Sequence, residues 1–266
     1  MSSCPFQWGR ERPGLAGGID RDGRRAVELL VAGFGSVEFG TVTPEPEPGR
    51  QPGVAALVQR LAALSPQLSL GQNRTLIGIG IGLSLGAAPK ALATHWLAGL
   101  QAAWPVADYL SFNLSAAAYR PLLAPQHTAV LAEALAAVAS ERDRRATHGQ
   151  RRVALALKLP LEAPLMSMAA QTAVSLGFDA LTVVLPQRPE RLDWLQAWSQ
   201  HINGTAQLVA VGGIRSSADV RAVLEAGASG IQVHSVFAEQ GGACLAPLLA
   251  GLATHDFHEV FLDAAR

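Results

Sequence analysis

Gly33-Phe-Gly-Ser-Val-Glu-Phe-Gly-Thr-Val-Thr-Pro-Glu-Pro-Glu-Pro-Gly49 is the stretch that organises this chain. Its middle, Ser36–Val42, is a short apolar run with β-branched and aromatic residues, which predicts a strand. The strand stops where prolines begin, because proline lacks the N–H that a ladder needs, and a punctuated loop follows. On its other side Gly33 can take the left-handed conformation that ends a helix, and Arg24–Ala32 has a helical pattern. Beyond the loop a second helical pattern occupies Val54–Leu64.

The same unit recurs along the chain. Further strands are expected at Leu15–Ile19, Leu76–Ile81, Asp108–Asn113, Val153–Leu159, Ala180–Leu185, Gln207–Val211 and Gly230–His234. Further helices are expected at Pro89–Ala103, Gln126–Thr147, Leu165–Leu176, Pro189–His201, Ala218–Ala226 and Cys244–Leu252. Eight strands and eight helices in strict alternation require a parallel sheet covered by helices. A single (β/α)8 TIM barrel over residues 1–266 is the simplest arrangement, and 266 residues suits one. The charged bridge Thr147–Arg152 fits a loop on the N-terminal face, with no linker to a second domain.

Composition narrows the partners. Hydrophobic residues make up 49% of the chain, enough for a large core without disulfides. Cys4 and Cys244 have neither paired nor metal-like spacing, which suggests a reducing, cytoplasmic setting. Lys plus Arg and Asp plus Glu number 21 each, so charge gives no argument for nucleic acid. No signal-peptide core is evident, and no apolar run is expected to reach the roughly 20 residues that span a bilayer. No metal is expected: His255 and His258 could share a helical turn, but nothing completes a ligand set. A small-molecule substrate is the expected partner, and a homodimer stays open.

In such a barrel the chemistry belongs at the C-terminal ends of the strands. Those positions hold Gly17, Gly18, Asp20 and Arg21; Thr41 and Thr43; Gly80 and Gly82; Asn113 and Ser115; Lys158; Pro186; Gly212 and Gly213; and His234 and Ser235. Val209-Ala-Val-Gly-Gly-Ile-Arg-Ser-Ser-Ala-Asp219 is a buried strand ending in two glycines before a cappable helix. That pattern predicts backbone N–H groups offered to an anion, beside the His234-Ser235 loop. The alternative is a pair of tight turns. Lys158 ends the apolar strand of Ala154-Leu-Ala-Leu-Lys-Leu-Pro160, where a charge is costly to bury alone. It serves a site there, reaches solvent, or pairs with Glu38 inside the barrel.

Gly33–Gly49, Leu15–Gly23 and the segments 209–219 and 226–235 together resemble the dihydroorotate dehydrogenases, FMN enzymes built on a β/α barrel. The resemblance covers most of the chain and is most specific over residues 15–49 and 207–235. It implies an FMN-dependent oxidoreductase with Ala16, Gly17, Thr41, Asn113, Lys158, Gly212, Gly213, His234 and Ser235 at the cofactor. Lys158 matches the lysine that the family places at the flavin N1–O2 edge, where negative charge develops on reduction. His234-Ser235 stands where the family usually has Tyr-Thr.

On the substrate side the chain departs from the family pattern. In Asn113-Leu-Ser-Ala-Ala-Ala-Tyr-Arg120, Ala116 stands at the position of the Ser or Cys base and Ala118 at an orotate-binding asparagine. Arg21 replaces a lysine that bridges flavin and orotate, Leu185-Pro186 replaces an Asn-Thr pair, and Gly80 stands where strand three usually offers an asparagine. An Asn-rich loop is missing between Gly49 and Val54, and no quinone-tunnel segment is expected before Leu15. These departures imply hydride transfer with an altered small organic substrate. Lys158, Arg21 and Tyr119 are the candidate catalytic groups, with Tyr119, Ser115 or water as the base. Ser115 is expected to point away from the site if its backbone is extended. Two other functions remain open: a flavin-free lyase or aldolase with Lys158 as a Schiff base, and a non-catalytic binding protein.

Overall fold

Alternation along the fifth strand shows how the sequence divides inside from outside. In Ala154–Pro160, Leu155, Leu157 and Leu159 join the main hydrophobic core, whereas Ala154 and Ala156 join a separate cluster with Tyr109, Ala180 and Val209. Successive side chains point to opposite faces, so the leucines pack outward under helices and the alanines fill the barrel axis. Lys158 continues the inward set, and only 6% of it is exposed.

The computed structural model describes residues 11–68 and 74–253. His255, His258 and Cys4 lie outside the described residues. Eight parallel strands close on themselves in sequence order, with β1 paired to both β2 and β8. The elements are β1 Gly14–Leu15, α1 Ala26–Val31, β2 Ser36–Val42, α2 Val54–Leu68, β3 Leu76–Ile81, α3 Leu92–Ala103, β4 Tyr109–Asn113, α4 Thr128–Thr147, β5 Ala154–Pro160, α5 Met168–Ser175, β6 Ala180–Val184, α6 Arg191–Ile202, β7 Gln207–Val211, α7 Ser217–Glu225, β8 Gly230–Val233 and α8 Ser235–Gln240. The expected (β/α)8 barrel is the fold observed.

Two boundaries differ for physical reasons. β1 ends at Leu15 rather than Ile19, because the chain leaves the ladder at Gly17-Gly18, where Gly18 adopts φ 113°. The last helical region begins at Ser235, directly after β8, and is broken at Gly241 (φ 59°) before helix resumes at residue 245. The stretch Ser235–Ala253 has the length and apolar composition of a membrane span, contrary to the expectation that no such run exists. It buries Val236, Phe237, Cys244, Leu245, Leu248 and Leu252 against the barrel.

The N-terminal face is pinned by ion pairs. Asp108, before β4, accepts from Arg74 Nη1 at 2.7 Å and from the Ile77 N–H at 2.8 Å. Asp179, before β6, pairs with Arg152 at 2.7 Å and accepts from the Leu155 N–H. The bridge between α4 and β5 therefore sits on this face, as its charges predicted. The opposite mouth is left for a ligand.

Candidate functional site

A cleft of about 300 Å³ opens at the C-terminal mouth. This is the lower end of the roughly 300–1,000 Å³ range of small-molecule sites. Of the sequence-predicted residues, Gly17, Arg21, Thr41, Asn113, Tyr119, Lys158 and His234 line it. Ala16 is buried behind it, its N–H bonded to the Val233 carbonyl at 2.9 Å. Gly212, Gly213 and Ser235 lie outside this lining.

The floor is a buried ion pair. Lys158 Nζ donates to Glu38 Oε1 at 3.1 Å, with side-chain exposures of 7% and 1%. Pairing and service to the site were alternatives in the sequence; the structure combines pairing with a place in the lining. Glu38 Oε2 has no hydrogen-bond partner among the described residues. A Cβ on Gly17 would stand 2.6 Å from Glu38 Oε1, so only glycine lets the chain close over this carboxylate.

Hydrogen bonds fix one wall. Asn113 Nδ2 donates to Thr41 Oγ1 at 2.7 Å, and its Oδ1 accepts from the Ser115 N–H at 2.9 Å and the Ser115 hydroxyl at 2.8 Å. This turn brings Ser115 into the lining, against the expectation that it points away. Its hydroxyl proton is directed at Asn113.

Tyr119 reaches the cleft from the turn after β4. A Cβ on Gly82 would collide with its hydroxyl and ring carbon, so Gly82 makes the room it occupies. Burial, and then the Glu47 charge, hold the phenol above its ordinary pKa, with Arg50 and Arg21 pulling the other way. The phenol keeps its proton at neutral pH.

Sequence reading missed Glu47, Arg50 and Gln51, which also line the cleft. They come from the proline-rich loop, which Gln51 ties down by donating to Thr43 Oγ1 at 2.6 Å and the Glu45 carbonyl at 3.0 Å. Glu47 accepts from the Leu85 N–H at 2.7 Å and faces Arg50 at 3.6 Å. The prolines signalled a loop but not its direction. Arg21, by contrast, makes no hydrogen bond or ion pair among the described residues. Partial burial, then the charges of Lys158 and Arg21, lower the His234 pKa, so this imidazole is neutral at pH 7.

The double-glycine turn after β7 is real, with φ 105° at Gly212 and 69° at Gly213. The expected offer of helix N–H groups is reduced by a side-chain cap. Asp219 closes a capping box with Ser216, accepting from the Arg215 N–H and the Ser216 N–H at 3.0 Å each. Burial pushes this carboxyl up, but hydrogen bonds from Ser216 and Arg215 and the Arg191 charge hold it below its usual pKa. Within the first turn of α7 the Asp219 N–H is thus taken by the Ser216 hydroxyl.

A closed barrel with a ligand-sized cleft at this face belongs to the class of β/α barrels that carry a small-molecule site there. The chain is 31% identical to the dihydroorotate dehydrogenase (quinone) of Methylococcus capsulatus, over 88% of this chain and 81% of that protein. It is 28% identical to the dihydroorotate dehydrogenase (quinone) of Marinomonas, over 86% of this chain and 77% of that protein. It belongs to the dihydroorotate dehydrogenase family. No protein-family profile matches it. Among solved structures, Eimeria tenella DHODH in complex with ferulenol superimposes with TM-score 0.71 at 20% identity, over 91% of this chain and 80% of that one. The ligand-free type of the same protein gives 0.73 at 19% identity, over 94% and 88%. At these identities the likeness supports the fold.

Proposed function

We propose that this chain is an FMN-dependent oxidoreductase whose substrate is a small anionic or carbonyl-bearing molecule other than dihydroorotate. The observation that carries the reading is the Lys158–Glu38 pair, buried under the open backbone of Gly17 at the strand ends. A flat ring can lie on that backbone, and a cation at its edge favours the negative charge gained on reduction.

Ala16, Gly17, Thr41, Asn113 and Lys158 would hold the ring side, and Gly212, Gly213, His234 and Ser235 the phosphate side. When bound, FMN supplies hydride exchange with a substrate. The chain's own residues do the rest. Arg21, with no partner among the described residues, orients an anionic or carbonyl group. Tyr119 holds a proton and donates a hydrogen bond from Oη. Ala116 and Ala118 line the cleft with methyl groups where the family resemblance expects a base and an amide. A methyl group cannot take a proton, so the family's own substrate is disfavoured.

The lyase reading requires Lys158 as a nucleophile, whereas its Nζ is engaged with Glu38. The test is the visible absorption spectrum of the purified protein, followed by titration with FMN. Flavin bands in the purified protein, or saturable quenching of FMN fluorescence, are expected. A colourless protein that leaves FMN fluorescence unquenched would refute the assignment.

A further inference from the structure

Gln187, in the loop between β6 and α6, and Arg191, the first residue of α6, send their side chains across to the double-glycine turn after β7. A Cβ on Gly213 would meet Arg191 Nη1 at 2.5 Å and Gln187 Nε2 at 3.4 Å, and the third nearest atom is Arg191 Cζ. The space above the turn is therefore walled by a guanidinium and an amide nitrogen, both donors. Neither side chain makes a hydrogen bond or ion pair among the described residues.

The surroundings sharpen the point. Arg215, the cation on the same loop, is already paired with Glu239. The Arg215 and Ser216 N–H groups are taken by Asp219. An anion at this turn consequently meets fewer backbone donors than a bare helix start would give it. The cations of the main cleft do not line the turn either: Arg21, Arg50 and Lys158 line the cleft, from which Gly212 and Gly213 are absent. Arg191 is the cation placed to neutralise an anion over Gly213.

We propose that Arg191 and Gln187 form a side-chain anion site over the Gly212-Gly213 turn, which takes the phosphate of a phosphorylated ligand. A guanidinium presents a planar fork that matches phosphate oxygens two at a time, and an amide adds a neutral donor. Identifying the ligand as FMN rests on the function proposed above; the anion site itself does not. Sequence reading missed Arg191 because it sits at a helix start, away from any strand end.

The test compares FMN with riboflavin, which lacks the phosphate, by fluorescence titration of the wild type, Arg191→Ala and Arg191→Lys. The wild type should prefer FMN, and Arg191→Ala should weaken FMN binding about 10- to 100-fold while leaving riboflavin affinity unchanged. Arg191→Lys should fall between, since it keeps the charge and loses the fork. An unchanged FMN-to-riboflavin ratio in Arg191→Ala overturns the proposal, as does a wild type that does not distinguish the two flavins. If the wild type binds neither flavin, the flavin assignment fails and inorganic phosphate decides the anion site. Phosphate that raises the melting temperature of the wild type but not of Arg191→Ala supports it; no rise, or an equal rise in both, overturns it.

Discussion

Replacing Lys158 by alanine should cost the fold heavily, because it leaves Glu38 charged at 1% side-chain exposure without its cation. Two unit charges 3.1 Å apart attract by about 5 kcal/mol at an effective dielectric constant of about 20. Removing one partner of a buried pair typically costs roughly 3–5 kcal/mol. For a domain of this size each kcal/mol moves the melting temperature by roughly 2–4 °C, so a fall of about 10 °C is expected. Lys158→Met combined with Glu38→Gln removes both charges at similar volume and should recover most of that loss. Thermal melts followed by circular dichroism at pH 7 read both effects. A single variant melting within about 2 °C of wild type, or a double variant no better than the single, would show that Glu38 does not depend on Lys158. In single-variant protein that retains FMN, the flavin should also be harder to reduce, which an unchanged reduction potential would contradict.

Gly213→Asp should abolish FMN binding while the barrel still folds: its Cβ meets Arg191 Nη1 and its charge occupies the phosphate position. Undiminished FMN affinity in the folded variant would rule out that position. The lowered His234 pKa makes the folded protein prefer neutral imidazole, so its contribution to stability is present above about pH 6.5 and lost as pH falls below that. His234→Gln should flatten that part of the pH–stability curve by less than about 1 kcal/mol, the residue being exposed; identical curves would refute this. Mixing the oxidised flavoprotein anaerobically with dihydroorotate should leave the flavin band unbleached over minutes. The missing base alone should slow the reaction by a factor of about 10² to 10⁴, and rapid bleaching would show that another group replaces it.

The barrel was legible because its strands have hard edges. β2, β3 and β7 run residue for residue as the pattern predicts, each apolar run being bounded by glycine, proline or polar residues. β1 was over-read because apolar character continues to Ile19 while the backbone turns away at Gly18 to cover Glu38. α8 was missed because its six residues carry too little periodicity to separate from the strand before it. Within the site, Thr41, Asn113 and Lys158 could be read from their places at strand ends. Glu47, Arg50 and Arg191 could not, since their positions depend on how a loop folds back or how far a side chain reaches between neighbouring strands. One signal was available and unused: Ser216 and Asp219 have the spacing of a capping box, which foretells that part of the α7 start is capped by its own side chains.

A crystal structure of the protein grown with FMN would address the whole arrangement at once. The ring should lie against the Gly17 backbone with Lys158 Nζ at its N1–O2 edge, still within reach of Glu38, and the phosphate should rest on Gly213 and Arg191. A flavin bound elsewhere, or a ring that leaves Lys158 out of contact, would contradict the account.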